Sequence, residues 1–106
     1  MPEIAKTRRK KKMIRHVVMW SFKPGTEKEQ NEFLTGLAAL KGKIEVIREC
    51  TVARNCNPKE TYDAILIADF DSMEDLHSYA TDPRHLAVAA ICKEIRENRV
   101  AVDFEI

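Results

Sequence analysis

An α+β domain of order β-α-β-β-α-β, its second helix broken once, is predicted by three observations. Two stretches, "MIRHVVMWSF" (13–22) and "TYDAILIADF" (61–70), alternate with period two and carry apolar residues on both faces. A helix-start signal follows each of them: Thr26 with Glu29, and Ser72 with Asp75. A further alternating run, "RVAVDFEI" (99–106), closes the chain. At 106 residues there is material for one domain and one modest core.

In the first strand, Ile14, His16, Val18, Trp20 and Phe22 share a bulky face on which His16 is the polar exception. The other face holds Met13, Arg15, Val17, Met19 and Ser21. A strand apolar on both faces needs both covered. "KPGT" (23–26) is a turn. The helix after it buries Phe33, Leu34, Leu37 and Leu40 and is expected to stop at Gly42. The second strand is expected over 44–54, and "NCNPKE" (55–60) is a loop. In the third strand, over 61–70, Tyr62, Ala64, Leu66, Ala68 and Phe70 oppose Ile65 and Ile67.

A short helix then runs from the Ser72 cap to about Ala80–Thr81, with Leu76 and Tyr79 inward. Asp82 caps the next segment and Pro83 opens it, where the missing N–H does no harm. Its expected apolar face is His85, Leu86, Val88, Ala89, Ile91, Cys92 and Ile95. This order is the split βαβ, or ferredoxin-like, pattern: a four-stranded antiparallel sheet with its helices on one face. The other face would expose Val17, Met19, Ile65 and Ile67. Covering apolar surface is favourable by about 25 cal/mol per Å², so a homodimer pairing sheet to sheet, as a dimeric α+β barrel, is expected.

The formal charge of +1 hides an asymmetry. Residues 1–12 hold six cations against Glu3, a net of +5; the remaining 12 basic and 16 acidic residues leave −4. Such a tail has no apolar face to bury, and it is read as a disordered, solvated extension. Met13 opens the patterned region and could itself be a start. Nucleic acid is disfavoured as a partner, the basic tail being its sole candidate contact. No apolar run reaches the ~18–20 residues of a membrane helix, and no secretory signal opens the chain. Cys50, Cys56 and Cys92 lack C-x-x-C spacing, which suits reduced thiols in the cytoplasm.

The glycines, Gly25, Gly36 and Gly42, make no phosphate loop, and neither G-x-S-x-G nor H-E-x-x-H occurs. No cofactor and no metal are implied. If the bulky face of the first strand turns toward the helices, His16, Tyr79 and His85 could converge on one pocket. Its expected walls are Val18, Trp20, Phe22, Tyr62, Leu66 and Phe70. A neutral imidazole can take a proton, and a tyrosine hydroxyl can donate to the resulting oxyanion. That suits proton transfer on a small, mostly hydrophobic carbonyl compound. His77 lies two residues from Tyr79, so it points outward.

Taken together, "MIRHVVMWSFKPGT", "YDAILIADFDSMEDLHSYATDPRH" and "VAVDFE" resemble the stress-responsive A/B barrel (Dabb) domain over about Met13 to Ile106. The resemblance implies a dimeric α+β barrel of ferredoxin-like type. It covers proteins without assigned activity, plant stress-associated proteins and a branch of polyketide cyclases. The cyclase branch's tyrosine and histidine fall on Tyr79 and His85, and its strand histidine on His16. Two departures stand out. Asp82-Pro83-Arg84-His85 replaces the usual His-Pro-x-His, and Ala38 stands where an aromatic shapes the cyclase pocket. Three roles follow as expectations. One is a small-molecule binder or enzyme using His85, Tyr79 and His16. Another is a purely structural oligomeric stress protein. The last, by analogy of fold alone, is a haem-dependent or cofactor-free monooxygenase.

Overall fold

The computed structural model of the chain describes residues 12–106. The basic extension expected over 1–12 therefore lies, apart from Lys12, outside the described residues. Strand β1 spans Ile14–Phe22, helix α1 Glu27–Ala39, strand β2 Glu49–Arg54 and strand β3 Ala64–Phe70. Helix α2 spans Met73–Thr81, helix α3 Pro83–Ile95 and strand β4 Arg96–Glu105. All strand pairs are antiparallel, in the order β2-β3-β1-β4. This is the ferredoxin-like arrangement that the alternation and the helix starts predict.

The bulky face of β1 turns toward the helices. Ile14, Val18, Trp20 and Phe22 are buried there with Leu66, Ala68 and Phe70 of β3 and Phe33, Leu34 and Leu37 of α1. Trp20 and Phe33 meet edge to face at 5.0 Å, a geometry the ring quadrupoles favour. Helix α1 packs on α3 at close range. A Cβ added to Gly36 would sit 3.3 Å from Cγ2 of Val88, so that glycine allows the approach.

The break in the second helix forms as the residues predict. Ser72 Oγ accepts from the Asp75 N–H, and Asp82 Oδ1 accepts from the Arg84 N–H, with Pro83 at the first helical position. The start of α1 differs from expectation. Thr26 Oγ1 donates to the Lys23 carbonyl and accepts from Gln30 Nε2, leaving no capping box with Glu29. The hydroxyl has bonded back into the tight turn, where Gly25 takes φ +80°.

Strand boundaries also shift. β2 begins at Glu49 rather than at residue 44. Ile44 and Ile47 are buried, but in a coil after the 3-10 turn Leu40–Gly42, held by Ile44 N–H to Leu40 O and Ile47 N–H to Ile44 O. Their spacing of three serves a turn, not a strand. β4 starts at Arg96, directly after α3, rather than at residue 99. Leu86 is 51% exposed and does not join the buried face of α3.

On the sheet face away from the helices, Val17 pairs with Ile67 and Val102, and Met19 with Ile65 and Val100. Val100, Val102 and Phe104 are exposed there. Helix coverage ends before β4, which extends past the helical layer as an edge strand. That overhang matters for the site, because one side of β4 flanks the helix-covered half of β1.

Candidate functional site

His16 is the one polar side chain on the buried face of β1. It pairs in register with Asp103 of β4, so both side chains stand on the same face. His16 Nδ1 lies 2.5 Å from Asp103 Oδ1. A carboxylate only accepts, so Nδ1 carries the proton, and in the neutral ring Nε2 is the free acceptor.

Tyr79 comes from α2 and His85 from the first turn of α3. The Asp82–Pro83 break redirects the chain between them, and their rings meet at 4.4 Å, tilted by 49°. His16 approaches Tyr79 edge-on at 6.4 Å. His85 Nδ1–H donates to the Ala80 carbonyl over 3.1 Å, so in the neutral ring Nε2 is again the free acceptor. Burial lowers the His85 pKa below its ordinary value, with the nearby His16 and Arg99 acting in the same direction and the Ala80 hydrogen bond opposing. His85 is thus neutral at pH 7. Tyr79 is only 3% exposed, and burial raises its phenol far above the ordinary range. It is a neutral donor throughout the physiological range.

These three side chains line one cavity of about 70 Å³. Val18, Trp20 and Leu66 form its sheet wall, and Phe33, Leu37, Ala89 and Cys92 its helical wall. By the volume a single water needs, that is room for about five water-sized bodies. Among the described residues, the larger hollows beside Met19, Ala38 and Lys23 hold no histidine. The groove of about 370 Å³ lined by Met19, Tyr62 and Ile65 opens on the opposite sheet face.

Of the expected walls, Val18, Trp20 and Leu66 line the cavity, whereas Phe22, Tyr62 and Phe70 do not. Phe22 lies beyond Trp20 at the end of β1 and packs on Phe33 at 6.2 Å. Tyr62 precedes β3. Its neighbour Asp63 donates its N–H to the Trp20 carbonyl and accepts the Phe22 N–H on its carboxylate. That bend takes Tyr62 out of the strand's alternation, into the groove beside Met19. Phe70 is fully buried behind Tyr79, at 5.1 Å, and supports it from outside the cavity. His77 is exposed, as its position relative to Tyr79 predicts. Ala38 is also exposed, on a groove with Asn31 and Thr35; the α1 side chains that reach the cavity are Phe33 and Leu37.

Sequence reasoning missed Asp103 and the cavity's three cations, Lys93, Arg96 and Arg99. A signal for Asp103 and Arg99 existed. Once β4 is taken as antiparallel to β1, matching their registers puts Asp103 opposite His16 and Arg99 opposite Trp20. Lys93 and Arg96 gave none, because cations at a helix end are ordinary surface residues.

Fold and cavity together define a class: a ferredoxin-like α+β protein with a histidine- and tyrosine-lined hollow under its helices and a bare apolar face behind its sheet. The chain belongs to the stress-responsive A/B barrel domain family, whose domain description matches residues 14–106. A dimeric protein of unknown function and ferredoxin-like fold from Bacteroides fragilis is 36% identical, with 89% of this chain and 96% of that one covered and a TM-score of 0.82. A dimeric ferredoxin-like protein of unknown function from Thermobifida fusca is 25% identical, covering 90% and 92%, with a TM-score of 0.80. The hydroxynitrile lyase of Passiflora edulis shares the fold, with a TM-score of 0.81 over 92% and 95% of the chains, at 16% identity. No curated protein matches the chain significantly. Among the described residues, no helix is long and apolar enough to cross a membrane.

Proposed function

We propose that this chain forms a homodimer through its bare sheet face, and that each protomer binds a small, mostly apolar carbonyl compound between His16, Tyr79 and His85. The observation that carries the reading is the meeting of those three side chains in one cavity with apolar walls. A protein whose only task was assembly would have no use for such a hollow beside Tyr79. Dimeric relatives of the same fold support the pairing. Free Cys50, Cys56 and Cys92 fit a reducing cytoplasm. A part in a stress response rests on the family's description alone.

The chemistry follows from the hydrogen bonds. His85, held by Ala80, offers Nε2 as a base. It takes a proton from the carbon next to the ligand's carbonyl, and the electron pair left behind moves onto the carbonyl oxygen. The Tyr79 hydroxyl donates to that oxyanion, where a preorganised donor in a dry site is worth most. His16, oriented by Asp103, fixes the ring arrangement from the sheet side. The proton on His85 returns to the same carbon or passes to a product atom.

A panel of small enolisable ketones and aldehydes, from propanal to butanone, read by thermal shift, tests this proposal. A ligand at a hundred times its Kd stabilises a protein by about 2.7 kcal/mol, which is a shift of several degrees in a domain of this size. At least one compound should produce it, and His85→Ala should abolish it. A panel with no shift in the wild-type protein overturns the reading.

A further inference from the structure

Every arginine of the described fold that lies away from the cavity grips a side-chain oxygen. Arg15 holds Asp69 through two bonds, Arg48 holds Asp71, Arg54 holds Gln30 and Asn31, and Arg84 holds Asp82. The two that line the cavity, Arg96 and Arg99, hold no carboxylate among the described residues, and neither does their neighbour Lys93. Asp103, on the same side of β4 as Arg99, is engaged by His16. Three uncompensated cations therefore share one rim, in a chain whose residues after the basic tail carry a net charge of −4.

The rim faces the cavity's working groups rather than bulk solvent alone. Arg99 acts electrostatically on Tyr79, His85 and Cys92, in each case against the more positive form. Such a field favours negative charge where Tyr79 and His85 meet. Guanidinium forks also match carboxylate geometry, and paired arginine–carboxylate contacts are among the strongest polar contacts a site can offer.

We propose that the ligand is an anion: a small carbonyl compound bearing a carboxylate, which Lys93, Arg96 and Arg99 receive at the rim while the carbonyl is turned to Tyr79 inside. This deepens the binding reading above and rests on it. The cavity's size agrees, since its interior admits only a few heavy atoms and the charged end stays at the rim, where solvation is partly kept. The rim also supplies selection, because a cationic ligand of the same shape would meet three like charges.

Pyruvate and its neutral amide, pyruvamide, have nearly the same shape and differ in charge, so they serve as the probe pair. Their affinities are measured by NMR titration, on the wild-type protein and on Arg99→Gln, whose exposed side chain makes it safe for folding. The expected result is roughly tenfold tighter binding of pyruvate, the yield of one charge-assisted contact at a partly exposed site. That advantage shrinks as salt is raised, by screening. Arg99→Gln removes most of it and changes the pyruvamide affinity far less. Equal or tighter binding of pyruvamide, or a pyruvate affinity indifferent to Arg99→Gln, overturns the proposal while the cavity reading stands. If neither probe binds, the anion proposal fails; if the uncharged panel gives no shift either, the cavity reading fails with it.

Discussion

Replacing Val102 by aspartate perturbs the bare sheet face on its edge strand β4. Val102 pairs with Val17 across β1 and β4 and is 62% exposed in the protomer. Complete burial of a valine side chain is worth about 1.5–3 kcal/mol. The part still open to water in the protomer is therefore worth about 1–2 kcal/mol when a partner covers it. A twofold axis presents the residue twice, so the apolar loss is about 2–4 kcal/mol per dimer. Each carboxylate placed in the interface adds its own desolvation, several kcal/mol by effective estimates. A total above about 4 kcal/mol weakens dimerisation roughly a thousandfold or more. Sedimentation equilibrium across micromolar concentrations should show a wild-type dimer and a Val102→Asp monomer. Circular dichroism should be unchanged, because the side chain contributes little to the protomer's own core. A variant that dimerises with the wild-type constant would refute the reasoning, and so would a wild-type protein that is monomeric at those concentrations.

Other consequences can be measured on the same protein. Leu66 is 1% exposed and forms part of the cavity wall; Leu66→Ala should cost about 2–5 kcal/mol in chemical denaturation and admit larger ligands in the thermal-shift panel. The Tyr79 pKa is raised in the fold from 10.0, so the stability it supports is complete below pH 10 and is lost as pH rises beyond it; Tyr79→Phe should flatten that alkaline limb. His85 is lowered from 6.5, so the unfolded chain takes up its proton first and stability falls as pH drops below about 6.5; His85→Asn should remove that slope. Asp82 is lowered from 3.8 to about 2 by its bonds to Arg84, so its contribution is present above pH 3.8 and lost toward pH 2, and Asp82→Ala should erase that acid step.

Much of the fold was legible because local chemistry and global packing agree in it. The period-two alternation of 13–22 needs no partner to be seen, and its bulky face did turn to the helices. Asp82-Pro83 marks a helix break by a cap and a missing N–H, both local facts. The errors fall where a neighbour decides. Ile44 and Ile47 read as strand residues, yet the turn closed by Leu40 buries them in coil. Thr26 and Glu29 have the spacing of a capping box, but the turn at Gly25 brings the Lys23 carbonyl within reach of the threonine hydroxyl first. Tyr62 has the parity of the cavity wall, and the bonds from Asp63 to β1 turn it to the other face.

The sequence by itself determined the order of elements, the two-sided apolar strands that ask for a partner, and the identity of His16, Tyr79 and His85 as a candidate group. Those follow from periodicity and capping, which act over a few residues. Only the tertiary structure decided that the three enclose a cavity, that Asp103 holds His16, and that Lys93, Arg96 and Arg99 crowd its rim without carboxylates of their own. The reason is one of range. Strand register and helix packing join residues 87 positions apart, as in His16 and Asp103, and no local pattern encodes a contact of that span.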